Sequence, residues 1–498
     1  MNITLNRNNT TPLYLQLKNS IRSMILSEEL PENFKLPSER NLAAKLSVHR
    51  NTVVKAYEAL IAEGLIYSSR KKPCGYFVGH NFSKSEIISD PQKVMTFSSL
   101  DKNLNYHFIN MQNRFEELYH SSYDTEQISF AGVLTDRTAL PVEYLKHMLQ
   151  EIIDGDDLEP FWFCDPQGTK RLRMAISEML FGRNIYTSPR NIQIVSETYE
   201  AISNIAFMYL NPGDYVIIEA PACPAIANIF LHVGAKLLSV PIEPDGIRMD
   251  ILEHFVQQYN PKLIYTMPNY QNPSTCTMTL EMRKRLLVCA LSYNIPILED
   301  DSQYDFYYGD NRLPSLYSMD QSDSVIYLDT AGLSFYPGSR LGFIVAPDNV
   351  INTYRHIVNK DQMFLNSMSQ YLWADFFQKG YYKKHVRFLT DFYIKKRELM
   401  CQCLSKIQGL SFLKPEGGMV IWARMPENIN DLQIVSLCKK MGLLLMPGSL
   451  FFPEGNKGDN YLRISFSSAS DEQILRGTEI LQKALSVCQS GNQDPKKL

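Results

Sequence analysis

LPSERNLAAKLSVHRNTVVKAYEALIAEGLIY, residues 36–67, holds two helical patterns with a three-residue break between them. Pro37-Ser38 opens a short helix bearing Leu42, Ala43 and Leu46, and a second run starts at about His49. That spacing predicts a helix-turn-helix. In the second run Val53, Tyr57, Leu60 and Ile61 form the inward stripe, with Asn51, Lys55, Glu58 and Ala62 opposite. Its outward N-terminal end presents Arg50, Asn51, Thr52 and Lys55, donors suited to phosphates and to base edges in a major groove. Upstream, Thr11-Pro12 precedes Tyr14, Leu17, Ile21, Met24 and Ile25 at helical spacing, which predicts a first amphipathic helix. Downstream, Gly64 stops the second helix, and residues 65–67 and 75–78 read as two short strands. Arg70, Lys71 and Lys72 then lie at a hairpin tip as a basic wing.

Together with PLYLQLKNSIRSMI at residues 12–25, this stretch resembles the GntR winged helix-turn-helix over roughly the first 80 residues. The resemblance implies that Arg40, Arg50, Asn51, Thr52 and Lys55, with the wing residues Arg70, Lys71 and Lys72, contact a double-stranded DNA operator. Two departures stand out. His49 takes the place of the usual Ser, which weakens an N-cap, and the wing lacks a glycine-rich G-x-G-T turn.

The charge distribution agrees with a polyanionic partner for this end. The first 80 residues carry eleven Lys/Arg against six Asp/Glu, or +5, so the remainder of a chain with net charge -3 carries -8. At 498 residues the chain is too long for one ordinary core, which predicts at least two domains. The first eleven residues are polar, and no run of about 18 apolar residues occurs to span a bilayer. A cytoplasmic protein without membrane contact is expected. The nine cysteines are scattered and never spaced C-x-x-C, which argues against a disulfide framework and against a metal site.

Beyond a connector at 81–128, expected to hold one helix near 108–119, helical patterns alternate with the apolar runs 215–219, 262–266, 295–299 and 324–328. This order predicts an α/β domain over 129–490 with a mostly parallel sheet. NPGDYVIIEAPACP (211–224), PNYQNPS (268–274), ILEDD (297–301), YPGSRLGFIVAP (336–347) and YLRISFS (461–467) follow the order of a fold-type-I aminotransferase. The chain therefore resembles the MocR subfamily of GntR regulators, and the match runs over about 128–485. The implied architecture is a winged helix-turn-helix at 1–80 joined to a pyridoxal-phosphate-transferase-like domain, and the implied assembly is a homodimer.

Pyridoxal 5′-phosphate chemistry needs a lysine amine, an acid on the pyridine nitrogen, a ring-stacking group and donors around the phosphate. By resemblance, Asp300 fills the acid seat, Asn272 the ring-hydroxyl seat and Arg340 a phosphate seat. The other seats are changed. Leu333 stands where the family has its lysine, and no lysine occurs between Lys284 and Lys360. Glu197 and Tyr199 replace the Gly and Gln of the phosphate turn, Cys223 replaces a stacking tyrosine, and Ser302 replaces another, with Tyr304 in reach two residues on. An isobutyl group forms no imine, so covalent cofactor attachment loses its nucleophile. A carboxylate at 197 opposes a dianionic phosphate and weighs against noncovalent binding as well. Arg463, matching the substrate-carboxylate arginine, keeps a bidentate grip on a small carboxylate available. The expectation is a DNA-binding regulator with no catalytic residues. The competing readings are an active aminotransferase with an appended DNA-binding module and a regulator using noncovalent pyridoxal 5′-phosphate as effector.

Overall fold

In a computed structural model the described residues are 3, 12–26, 29–31, 33–62, 65–69, 75–78, 127–309, 312–361, 365–453 and 458–489. Arg70, Lys71 and Lys72, and the helix expected near 108–119, lie outside them. The chain divides into two compact units, Met1–Leu104 and Asn105–Leu498.

The first unit comprises α1 (Leu13–Leu26), α2 (Glu39–Leu46), α3 (Arg50–Ala62), β1 (Ile66–Ser69) and β2 (Gly75–Val78). Ser38 caps α2 by accepting from the Asn41 amide, and Ser47 ends it in a left-handed conformation. β1 and β2 pair antiparallel with Ile66 opposite Val78. One core gathers Leu17, Ile21, Leu42, Val53, Ala56, Tyr57, Leu60, Ile66 and Val78. Ile61 departs from the expected inward stripe. It is 39 % exposed, and Ala56 is the buried residue in its stead. The 3.6-residue turn puts Val53, Ala56, Tyr57 and Leu60 at i, i+3, i+4 and i+7, leaving Ile61 past the edge of that face.

In the second unit an eight-stranded sheet has the order β4 (Ile192–Val195), β11 (Gly342–Val345), β10 (Val325–Asp329), β9 (Ile297–Asp300), β8 (Leu263–Thr266), β5 (Tyr215–Ala220), β6 (Lys236–Glu243), β7 (Gly246–Ile247). The run from β10 to β6 is parallel, while β11 lies antiparallel to both its neighbours. These strands read as unbroken apolar runs because both faces are covered. Val216, Ile218, Leu298 and Leu328 enter one core, whereas Ile217, Ile264 and Ile297 enter another on the opposite face. A smaller sheet orders β12 (Ser411–Phe412), β13 (Val420–Arg424), β16 (Tyr461–Ser465) and β15 (Met446–Pro447), and β3 (Ile128–Ser129) pairs parallel with β14 (Leu443–Leu444).

The register decides where functional groups gather. Asp300 lies opposite Leu328, and Glu299 opposite Thr266, so the C-terminal ends of β8, β9 and β10 form one edge. Ligands of open α/β sheets bind at that edge. Because β11 runs the other way, its entry falls at the same edge, with Gly342 opposite Val195.

Candidate functional site

In the first unit Arg40 is the second residue of α2, while Arg50, Asn51 and Thr52 open α3 and Lys55 follows one turn on. Arg40, Arg50, Asn51 and Lys55 are exposed and Thr52 is half-buried. The helix start is better capped than the sequence suggests. His49 Nδ1 accepts from the Asn51 amide at 3.2 Å, and the His49 carbonyl accepts from the Thr52 amide. An imidazole thus takes over the acceptor role of a serine hydroxyl. Tyr57 braces the turn from below by donating to the Pro37 carbonyl at 2.9 Å.

In the second unit the sheet edge collects residues from distant parts of the sequence. Asp300, the last residue of β9, is buried; it accepts from the Tyr265 hydroxyl at 2.8 Å and the Ser302 amide at 3.0 Å. Burial pushes its carboxyl above the ordinary range, and the Ser302 and Tyr265 hydrogen bonds oppose that. Cys223, at the start of the helix Pro224–His232, is buried, and burial raises its thiol while Arg463 and Tyr199 pull the other way. Arg463 on β16 is 1 % exposed. It donates to Asn272 Oδ1 at 3.4 Å and to the Ala131 carbonyl, and its guanidinium lies 5.1 Å from the Phe451 ring. Asn272 and Arg463 are therefore brought together, and Cys223 borders both Arg463 and the hydroxyl of Tyr265 that binds Asp300.

Arg340 and Glu197 meet because of the β11–β4 register. Arg340 stands two residues before Gly342 and Glu197 two after Val195, and the side chains pair at 3.3 Å. Glu197 is the residue before the helix Thr198–Tyr209. Burial raises its carboxyl and the Arg340 guanidinium opposes the rise. Glu200 adds a second acid at this helix start, accepting from the Ser196 amide at 3.0 Å and from the Ser196 hydroxyl. The N-terminal end of the helix is thereby supplied with anions by the chain itself.

Leu333 follows β10 by four residues and is half-buried against the core that holds Phe130, Phe306 and Met419. Its carbonyl accepts from Thr135 Oγ1 at 2.7 Å. Tyr304 does not reach toward Asp300. Its ring is sandwiched by guanidiniums, Arg183 at 3.7 Å and Arg312 at 4.2 Å from its centre. Arg183 is itself buried, paired with Asp305 at 3.2 Å and Asp329 at 2.5 Å and bonded to Tyr382 and Tyr327, so Tyr304 belongs to a structural network.

Comparison with known proteins follows the two units. Residues 134–481 match the family Aminotransferase class I and II, and residues 13–75 match Bacterial regulatory proteins, gntR family. The chain belongs to the aminotransferase class I and II family and carries a GntR head. The probable rhizopine catabolism regulatory protein MocR of Rhizobium meliloti is 26% identical, over 90% of this chain and 89% of its own length. The uncharacterized HTH-type transcriptional regulator YdfD of Bacillus subtilis is 26% identical over 94% and 95%. The second unit is similar to the multiple substrate aminotransferase of Thermococcus profundus, with a TM-score of 0.72, 26% identity, and coverage of 76% of this chain and 96% of that one.

The GntR–aminotransferase chain is thus a transcription regulator of the MocR architecture, in a family built around pyridoxal 5′-phosphate. Among the described residues no helix is long and apolar enough to cross a membrane, and no cluster of His, Cys, Asp or Glu is arranged for a metal ion. The described cysteines are free thiols. Glu200, Tyr265 and Glu39 are site residues of this regulator that no sequence motif singles out. Ser196 and Glu200 are four residues apart, one more than a capping box requires, and Glu200, Tyr265 and Glu39 acquire their partners only through folding.

Proposed function

We propose that this regulator binds operator DNA through Arg40, Arg50, Asn51, Thr52, Lys55 and the basic run Arg70, Lys71 and Lys72, and that its aminotransferase-like body has given up transamination. The observation that carries the second half is the Glu197–Arg340 pair beside Glu200, at the helix start where a phosphate would be held. Two carboxylates there repel a dianion, and the Arg340 guanidinium is already engaged. The residues do not fit pyridoxal 5′-phosphate. Leu333, packed on apolar neighbours in the segment that lacks any lysine between 284 and 360, supplies no amine for covalent attachment.

In this reading the body is a dimeric scaffold that reads a small carboxylate. Arg463 supports the ligand class by its position: it matches the substrate-carboxylate arginine, and its buried guanidinium is held beside Asn272 and the Ala131 carbonyl. Dimerisation is supported by Leu158, Phe161, Trp162 and Phe163, each more than half exposed within six residues. Two heads on a twofold body bind paired half-sites.

The test has two arms. Duplexes from the region upstream of the regulator's own gene should bind more tightly than random duplex and with steep salt dependence. Equal affinity for both ends the DNA reading. Purified protein mixed with pyridoxal 5′-phosphate and then borohydride should show no cofactor fixed to a lysine; a fixed cofactor ends the proposal of lost transamination.

A further inference from the structure

Glu39 lies outside the residues assigned to DNA, yet it is bonded to one of them. It is the first residue of α2, and Arg50 is the first of α3. Arg50 Nε and Nη2 both donate to Glu39 Oε2, at 3.0 and 2.7 Å. The other oxygen, Oε1, accepts from the Tyr76 hydroxyl on β2 at 2.7 Å. Tyr76 is fixed in turn, its ring edge-on to Tyr57 with centroids 4.8 Å apart. One carboxylate thus joins both helices of the helix-turn-helix to β2, the second strand of the hairpin.

As a stabilising contact this arrangement achieves little, because the Arg50 side chain is 54% exposed and exposed ion pairs add little to folding. Its effect on geometry is larger. A guanidinium has five N–H groups in a fixed planar fork. With Nε and one Nη2 hydrogen turned to Glu39, the end-on edge formed by Nη1 and Nη2 is the one left for another acceptor pair. Guanine presents such a pair, O6 and N7, in the major groove. An arginine held in advance also loses less side-chain freedom when it meets the base.

We propose that Glu39 is a positioning residue for Arg50: its carboxylate, anchored by Tyr76, presents Arg50 end-on to a guanine, so that Glu39 and Tyr76 set operator specificity without touching a base. The inference rests on the reading of Arg50 as a DNA contact. It differs from a plain competition model, in which Glu39 only ties Arg50 up and its removal strengthens binding to every sequence.

The experiment uses the full chain. Binding sites are selected from a randomised duplex pool with the wild type, and affinities are measured for the consensus, for every single base-pair change in it, and for random duplex. Discrimination at one G·C pair is expected to be roughly 10- to 100-fold in the wild type, the range of a good bidentate contact. Glu39→Gln should reduce it to within about 3-fold at that pair alone, leaving affinity for random duplex and the salt slope unchanged. Tyr76→Phe, which deletes one hydroxyl and keeps the ring, should weaken discrimination at the same pair and guards against misfolding of the first variant. Glu39→Gln combined with Arg50→Ala should lose no more than Arg50→Ala alone. Uniform strengthening in Glu39→Gln, uniform weakening on all duplexes, or unchanged discrimination would each overturn the proposal. A wild type that selects no sequence overturns the DNA reading itself, and the role of Glu39 with it.

Discussion

Replacing Glu197 by Gly should open the helix start at 198 to a phosphate. The backbone tolerates the change, since φ at 197 is -169°, an extended value open to any residue, and the side chain makes no capping bond there. The substitution removes one negative charge and frees Arg340, now 3.3 Å from it. A unit charge about 4 Å from another interacts by about 4 kcal/mol at an effective dielectric of about 20. Arg340 is 73% exposed, so solvent screens this corner. A net gain of about 1 kcal/mol for a phosphate dianion allows for that screening, equivalent to roughly 5-fold in affinity. Titration calorimetry with pyridoxal 5′-phosphate, comparing wild type with Glu197→Gly, measures it directly. Adding Leu333→Lys should then allow borohydride to fix the cofactor to the chain. If Glu197→Gly binds no more tightly than wild type, the acid at 197 is not what keeps the phosphate out, and the electrostatic reasoning fails.

Two further outcomes are expected. Glu219, 4% exposed at the end of β5, has its carboxyl raised by burial to about 7, against hydrogen bonds from Thr266 and the Met267 amide. A raised acid favours the protonated fold, so its contribution is present below about pH 4.5 and is lost as pH rises through about 7, by about 3 kcal/mol at most. Glu219→Gln should accordingly gain thermal stability relative to wild type between pH 5 and pH 8; an equal difference in Tm at both pH values argues against the assignment. Phe161→Ser with Trp162→Ser should shift a dimer toward monomer in sedimentation, with the fold of each chain unchanged because both side chains are exposed on the single chain. An unaltered sedimentation coefficient would place the dimer contact elsewhere.

Much of this regulator is legible in its sequence because the relevant signals are local. The first unit follows from contiguous helical spacing, and each of the four apolar runs singled out in the body became a strand of the parallel sheet. Asp300 at the end of β9 follows likewise from a strand and its terminus. The absence of a lysine between 284 and 360 is a property of the sequence alone. The exposed side of Ile61 was not legible, since the edge of a helical stripe depends on what packs against it.

What tertiary structure alone decided is which charges meet. Glu197 reaches Arg340 because β11 runs antiparallel beside β4; Arg50 reaches Glu39 because two helices start side by side; Tyr304 turns to Arg183 rather than to Asp300. Sequence spacing determines which residues share a face of one element. The register between elements, set by backbone hydrogen bonding and core packing over long chain separations, determines which faces confront each other. The sequence therefore established the double architecture and the residue types at the sheet edge. The folded chain established that the acid at 197 and the guanidinium of Arg340 are each other's partners.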